Sequence, residues 1–254
     1  MERFAIFLRK FEYFDAIEQR RALAFSCIGS DDLITTSETN FTNIQKMKGK
    51  YGQKRGVIIY HDDDTLATAL IGKQGGKPLG STNWAFQEMA GLSNGGYKDY
   101  YPLEVTESQK DTLQNNNCNF LDQTFGAIHF QPGQTTGGRD IERHGEYIDV
   151  IRNIDYLQTR SEEELFRVLL DSEIVPYSDD GIAILESEQR RILKEYGCVK
   201  GQEILIEDSI ETDFPRRGEI DSSLRNNRTY QVGTWKAELA GAINNVVIRG
   251  KVFV

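Results

Sequence analysis

Apolar side chains in residues 145–157 recur at steps of three and four, which is the period of a helix with one face in a core. We expect a buried core face made of Tyr147, Ile148, Ile151, Ile154 and Leu157. Val150 and Tyr156 widen this face, so we expect the helix to be covered on more than one side. The pattern continues to Leu170 after Ser161, a favoured N-cap residue that three acids follow. It predicts either one helix of about 25 residues or two helices that break near Thr159-Arg160.

Strands and helices alternate in the first third of the chain. Residues 22–28 have the pattern of a short buried strand, and Gly56–Tyr60 is a continuous β-branched run, typical of a strand covered on both faces. A helix pattern follows from Asp64, its expected N-cap, to Ile71. Such alternation indicates an α/β layer with at least one parallel strand pair. We therefore predict an α/β fold, with a mixed sheet flanked by helices.

The rest of the chain predicts further elements. Residues 83–92 fit a short amphipathic helix, and Thr106 is the expected N-cap of a helix that runs to about Gln114. Residues 120–130 are strand-like throughout. Residues 181–196 have the apolar spacing of a helix, and residues 202–206 that of a strand.

Two strand patterns, at residues 235–239 and 245–254, end the sequence. The second has no capping turn, so its backbone groups need a partner strand in their own sheet or in a neighbouring subunit's. We predict that it is a C-terminal β-strand arm between subunits, formed by Val246, Val247, Ile248, Arg249, Val252, Phe253 and Val254.

Composition narrows the possible functions. The 254 residues carry a net charge of −9, with no basic run longer than a pair such as Arg20-Arg21, so we predict no direct contact with nucleic acid. No apolar run approaches the roughly 18 residues of a transmembrane helix, which predicts no membrane insertion. Three widely spaced cysteines, Cys27, Cys118 and Cys198, do not form a disulfide framework and favour synthesis in a reducing cytoplasm.

The main candidate for chemistry is His61-Asp62-Asp63-Asp64, which directly follows the clearest strand, where α/β enzymes place ligands. A metal site needs about four to six ligands around one point, and consecutive side chains in a turn do not converge. His129 and His144 have no Ser or Cys partner in a recognisable motif. We predict no catalytic, cofactor-binding or metal residue. A cytoplasmic metal- or nucleotide-dependent α/β enzyme that uses the His61–Asp64 turn is the alternative.

Four segments resemble a known family when they are taken together. They are residues 57–61, 80–92, 145–157 and 237–250, with sequences such as Val57-Ile58-Ile59-Tyr60-His61 and Gly145-Glu146-Tyr147-Ile148-Asp149. In order and spacing they resemble the C-terminal part of contractile phage tail sheath proteins, a family first catalogued as a domain of unknown function. The resemblance covers about residues 10–254, although no single segment is a signature by itself.

The resemblance implies a structural subunit without catalysis or cofactor, located in the virion tail. Sheath subunits form stacked hexameric rings around a tail tube, hold their neighbours by extended terminal arms, and contract to drive the tube through the host envelope. The implied partners are neighbouring sheath subunits, the tail tube protein, and the baseplate and tail terminator at the two ends. Another tail component with a similar core stays open as an alternative.

The same resemblance predicts how the chain is divided. We expect an α/β sheath core at residues 1–130, a helical part of that core at 131–233, and C-terminal strands with the inter-subunit arm at 234–254. Sheath proteins usually carry an N-terminal arm and extra strands before the region that matches residue 11 onward. We expect that part to be missing here, shortened, or supplied by another chain.

Overall fold

The structure is a computed structural model that describes four ranges of the chain, residues 21–34, 55–89, 100–136 and 145–244. The chain forms two compact units, a sheet unit of Met1–Lys77 with Thr82–Ile151 and a helical unit of Pro78–Ser81 with Arg152–Val254. The division at residues 130 and 233 that the sequence suggested stays a prediction. None of the helices in the described ranges is both long and apolar enough to cross a membrane.

The sheet unit is built on five strands with two helices. These elements are β1 (Ala24–Cys27), β2 (Gly56–Tyr60), α1 (Thr65–Gln74), β3 (Gln87–Glu88), α2 (Glu107–Asn115), β4 (Asn119–Thr124) and β5 (Ala127–Gln131). The strand order is β1-β2-β4-β5-β3. Strands β1, β2 and β4 are parallel, whereas β5 is antiparallel to both β4 and β3. The predicted α/β class with a mixed, helix-flanked sheet is confirmed.

Strand β2 is buried along its whole length, as its continuous apolar sequence predicts. Successive side chains of a strand point to opposite faces, and each face of β2 has its own apolar cluster. Val57 and Ile59 pack in one cluster, and Ile58 and Tyr60 in the other. The strand therefore lies at the centre of the unit with a core on both sides.

The strand-like run 120–130 is a β-hairpin rather than one strand. Strands β4 and β5 pair with Thr124 opposite Ala127, so Phe125 and Gly126 alone form the turn. Their φ angles are 50° and 86°, as in the two-residue turns that match the twist of a hairpin. The strand-like pattern is therefore confirmed on both sides of the turn. The sequence gives no signal for the turn itself, because Phe125 stands where Asn or Asp normally does.

The helix predicted at residues 83–92 was also wrong over the described part of that range. Phe86 has a φ of 57°, which ends any helix there, and Gln87–Glu88 forms β3. Backbone bonds from Phe86 N to Phe130 O (2.7 Å) and from Met89 N to Ile128 O (2.7 Å) hold the segment along β5. Tertiary pairing thus overrides a weak helical pattern.

One buried polar side chain, that of Asn119, connects backbone segments in the middle of this sheet by hydrogen bonds. Asn119 is fully buried, and its Oδ1 accepts hydrogen bonds from Gly133 N and Gln134 N, both at 2.8 Å. Its Nδ2 donates to Ile58 O at 3.0 Å and to Gln134 O at 2.7 Å. Gly133 is required here because a Cβ would lie 2.7 Å from Ala85 N. Asn119 therefore satisfies four backbone bonds that no water can reach.

Helix α2 begins as its sequence predicts. Thr106 is the N-cap, and it forms a capping box in which Thr106 Oγ1 accepts from Gln109 N and Gln109 Oε1 accepts from Thr106 N at 2.8 Å. The predicted helix from Thr106 to about Gln114 is therefore confirmed.

The helical unit contains most of the longest helix. Its elements are α3 (Ile148–Asp171, which starts in the sheet unit), α4 (Asp179–Gly197), β6 (Cys198–Val199), β7 (Gln202–Glu203), β8 (Glu211–Asp213), α5 (Ser222–Asn226) and β9 (Thr234–Lys236). Strand β6 pairs with β7 and β8 with β9, both antiparallel. Helix α3 is continuous over 24 residues, which decides between the two alternatives at Thr159-Arg160.

The predicted core face of α3 divides in the structure. Ile148 (0% exposed) lies in the core of the sheet unit and Leu157 (1%) in that of the helical unit, while Tyr147 and Ile151 are half-buried. Ile154 is 46% exposed, so the prediction of a core position was wrong there. The physical reason is the repeated step of three, which falls about 60° short of a full turn each time. Ile148 and Leu157 therefore lie on opposite sides of the helix.

Candidate functional site

The His61–Asp64 turn uses its polar groups to bind its own backbone. His61 is 5% exposed, its Nδ1 accepts from Asp63 N at 2.9 Å, and its Nε2 lies 3.1 Å from Tyr101 O, to which it donates. Asp63 Oδ1 accepts from Thr65 N at 2.9 Å and from Thr65 Oγ1 at 2.6 Å. Both ring nitrogens of His61 are thereby engaged, which leaves neither of them for a metal ion.

Asp64 stands at the N-cap position of α1, as expected, but its side chain does not cap the helix. Asp64 has helical backbone angles and no capping hydrogen bond from its side chain, whereas Asp63 closes the turn two residues ahead of Thr65. Within the described ranges, no three His, Cys, Asp or Glu side chains gather as the ligands of a metal ion would. The turn is a structural link between β2 and α1.

The other residues considered for chemistry have packing roles where the structure describes them. His129 is buried and stacks on Phe86 with ring centroids 5.6 Å apart. Burial raises the pKa of Cys27 to about 12, which keeps its thiol protonated and unreactive at neutral pH. His144 and the predicted arm residues 246–254 lie outside the described residues.

The helical unit contains an apolar groove of about 530 Å³. One wall is helix α3, through Leu165, Phe166 and Leu169, and the opposite wall is α4, through Ile182 and Leu185. These positions differ by one, three or four residues within each helix, so each wall is one helix face. The loop between the helices, Val175–Tyr177, closes one end.

Aromatic side chains from later in the chain form the third side of the groove. The ring of Phe214 stacks on Tyr230 at 5.9 Å, and Tyr177 meets the edge of Tyr230 at 6.3 Å. Burial raises the pKa of Tyr230 to about 12, so its hydroxyl stays protonated and donates to Pro215 O at 3.2 Å. Tyr177 likewise donates to Thr229 O at 3.1 Å. These bonds fix the rings before any partner binds.

A glycine lets the loop between α3 and α4 lie close against the start of α4 beside the groove. Ser178 is the N-cap of α4 and accepts from Gly181 N at 3.3 Å. A Cβ on Gly181 would lie 1.9 Å from Pro176 O, so any larger residue would push the loop away from the helix. The end of the groove depends on this close approach.

The groove lining combines apolar area with one cation. Phe166 is 60%, Leu169 55% and Trp235 37% exposed, which are large fractions for such side chains. Arg228 is the charged residue of the lining, and its side chain is exposed. Such a surface can accept apolar or aromatic side chains of a partner and pair its rim with a carboxylate.

Sequence reasoning did not identify this groove. The signal was present in residues 165–170, where five of six side chains are apolar, more than one helix face requires. The third side could not be inferred, because Phe214, Tyr230 and Trp235 are far away along the chain and only the fold brings them there.

Comparisons with known proteins give a structural match. No protein-family model and no curated protein matches the sequence. The fold is similar to a chain in the six-fold symmetrised cryo-EM structure of the anti-feeding prophage (AFP) baseplate, with a TM-score of 0.63 and 14% sequence identity. The match covers 95% of this chain and 63% of that chain, so this protein spans less than two thirds of the matched chain.

Proposed function

We propose that this chain is a structural subunit of a contractile phage tail or of a prophage-derived device of the same kind, and that it has no enzymatic role. The observation that carries the proposal is the fold shared with a chain of the anti-feeding prophage baseplate over 95% of this sequence. The apolar groove supports it, because exposed apolar surface with an ordered aromatic wall suits assembly. The occupied polar groups of the His61 turn leave the enzyme alternative without a supporting observation.

Within such a tail, we place the chain in the sheath. The support is the resemblance of the four segments, two of which are the buried strand β2 and the first half of helix α3. The subunit would form stacked hexameric rings around the tail tube, contact the baseplate and the tail terminator at the ends, and contract to drive the tube through the host envelope. Its location would be the virion tail, after synthesis in the host cytoplasm.

The connection between subunits would be the C-terminal arm, Val246 to Val254. An extended segment that adds to a neighbour's sheet is held by its main-chain hydrogen bonds, and alternate side chains add apolar contact. Val246, Ile248, Val252 and Val254 would form that apolar side.

The test is negative-stain electron microscopy of the concentrated protein beside a chain truncated after Asn244. Tubes or stacked rings in the parent and neither of these in the truncated chain are expected. A matched control is Val247→Thr, which keeps the backbone donor and should still assemble, whereas Val247→Pro removes the donor and should not. Equal tubes from the truncated chain would refute the arm, and separate particles from the parent, even with tail tube protein added, would refute the sheath.

A baseplate subunit is the second candidate, because the matched structure is itself a baseplate. The same images distinguish the two functions. A sheath subunit extends into tubes of variable length, whereas a baseplate subunit gives closed particles of one size, with or without tail tube protein.

A further inference from the structure

The tip of the β4–β5 hairpin carries an aromatic side chain that lies outside the core of its own chain. Phe125 is 106% exposed and has a φ of 50°, a conformation that a bulky residue rarely adopts. Asn or Asp would suit this turn, with Gly126 after it, at lower conformational cost. Neither stability nor solubility of the single chain accounts for a phenylalanine at this position.

We propose that Phe125 of one copy inserts into the apolar groove of a second copy of this chain. The groove volume of about 530 Å³ lies within the roughly 300–1,000 Å³ of pockets that bury whole ligands, so it can take an aromatic ring and its neighbours. Its walls already expose Phe166, Leu169 and Trp235, which a ring from outside would cover. An inserted aromatic surrounded by apolar walls is the usual centre of a protein interface.

Charge also favours this pairing. The cation of the groove lining is Arg228, and its guanidinium makes no ion pair within the described residues. The hairpin is acidic near Asp122, because Asp122 and Glu107 share the single cation of Lys110. Lys110 Nζ already binds Glu107 at 2.8 Å and Asp122 at 2.9 Å, which leaves excess negative charge. Opposite charges at the rim of an apolar contact set its orientation.

The contact joins two different surfaces of the chain. Two copies can exchange it reciprocally in a two-fold dimer, and otherwise a pair joined by one contact keeps one free groove and one free hairpin tip, to which further copies can add. The inference rests on the hairpin and the groove alone, and it does not depend on whether the chain belongs to a sheath.

The experiment is sedimentation velocity of the full chain over a concentration series. Phe125→Asn and Leu169→Arg should each raise the dissociation constant of self-association by more than about tenfold. The matched controls are Ile243→Asn, at a side chain that is 82% exposed, and Ile184→Arg, at one that is 48% exposed on α4 outside the groove lining. Both controls should associate like the parent.

Mixing the two variants gives the decisive result. Phe125→Asn keeps an intact groove and Leu169→Arg keeps an intact Phe125, so together they should form a dimer that stops growing, although neither associates alone. A parent that stays monomeric at about 1 mM, or a mixture without dimer, would overturn the proposal. The chain truncated after Asn244 should retain this contact, so failure of the arm and failure of the hairpin contact are distinguishable.

Discussion

The two units differ in where they place their large apolar side chains. In the sheet unit, all five residues of β2 are buried, with a cluster on each face. In the helical unit, the second half of α3 leaves Phe166, Leu169 and Leu170 between 55% and 66% exposed. An apolar run in a central strand thus belongs to the folding core, whereas a surplus of apolar residues on a helix leaves apolar side chains at the surface, where a partner could cover them. The predictions below test that distinction.

The largest effect on stability is expected when aspartate substitutions at two isoleucines of α3, Ile148 and Ile154, are compared. Ile148→Asp buries an unpaired carboxylate in the core of the sheet unit and should cost about 3 kcal/mol or more of unfolding free energy. Ile154→Asp, at a side chain that is 46% exposed, should cost less than about 1 kcal/mol. Urea unfolding of both variants measures the difference. Equal costs would mean that α3 is buried on more sides than described.

The sheet unit should also depend on its buried amide. Asn119→Ala removes four hydrogen bonds to enclosed backbone groups and should cost about 3 kcal/mol. Asn115→Ala, at an exposed position at the end of α2, is the control and should stay within about 0.5 kcal/mol of the parent. A small cost at Asn119 would show that water reaches the backbone groups it binds.

The helical unit should depend on a carboxylate between its two long helices. Glu164 is 7% exposed and accepts from Tyr196 Oη at 3.1 Å and from Arg191 at 3.3 Å, both on α4. Glu164→Ala should cost about 1–2 kcal/mol of unfolding free energy because these donors lose their acceptor. Its neighbour Glu163 pairs with Arg160 at the surface, so Glu163→Ala should change stability by less than about 0.5 kcal/mol. Similar values in thermal or urea unfolding would argue against this role of Glu164.

The elements that the sequence predicts correctly are those with local signals. The unbroken apolar sequence of β2 and the N-cap Thr106 each act within a few residues. The errors arise where a distant segment decides the structure. Strand β3 forms because its backbone pairs with β5, and no local sequence pattern predicts it.

The candidate site was harder to predict than the fold for the same reason. Its two helical walls could be inferred from the apolar surplus on α3 and the helical spacing of α4, but its aromatic side comes from residues 214–235. Phe125 could not be singled out from the sequence for a different reason. Its departure from the residue preference of the turn can be recognised only once the position of the turn is known.

The smallest effect should occur at Phe125, an apolar residue of the sheet unit whose side chain is fully exposed. Phe125→Asn places a residue that tolerates positive φ in the turn, and little buried area is lost because the ring that it replaces is 106% exposed. The variant should therefore be more stable than the parent by about 0.5–1 kcal/mol, while its self-association weakens. Urea unfolding at a concentration where the parent is monomeric measures the first effect, and Ile243→Asn, which should leave stability unchanged, is the control. A loss of stability would mean that the ring contributes to its own fold, and Phe125 would then belong with the buried residues of the sheet unit.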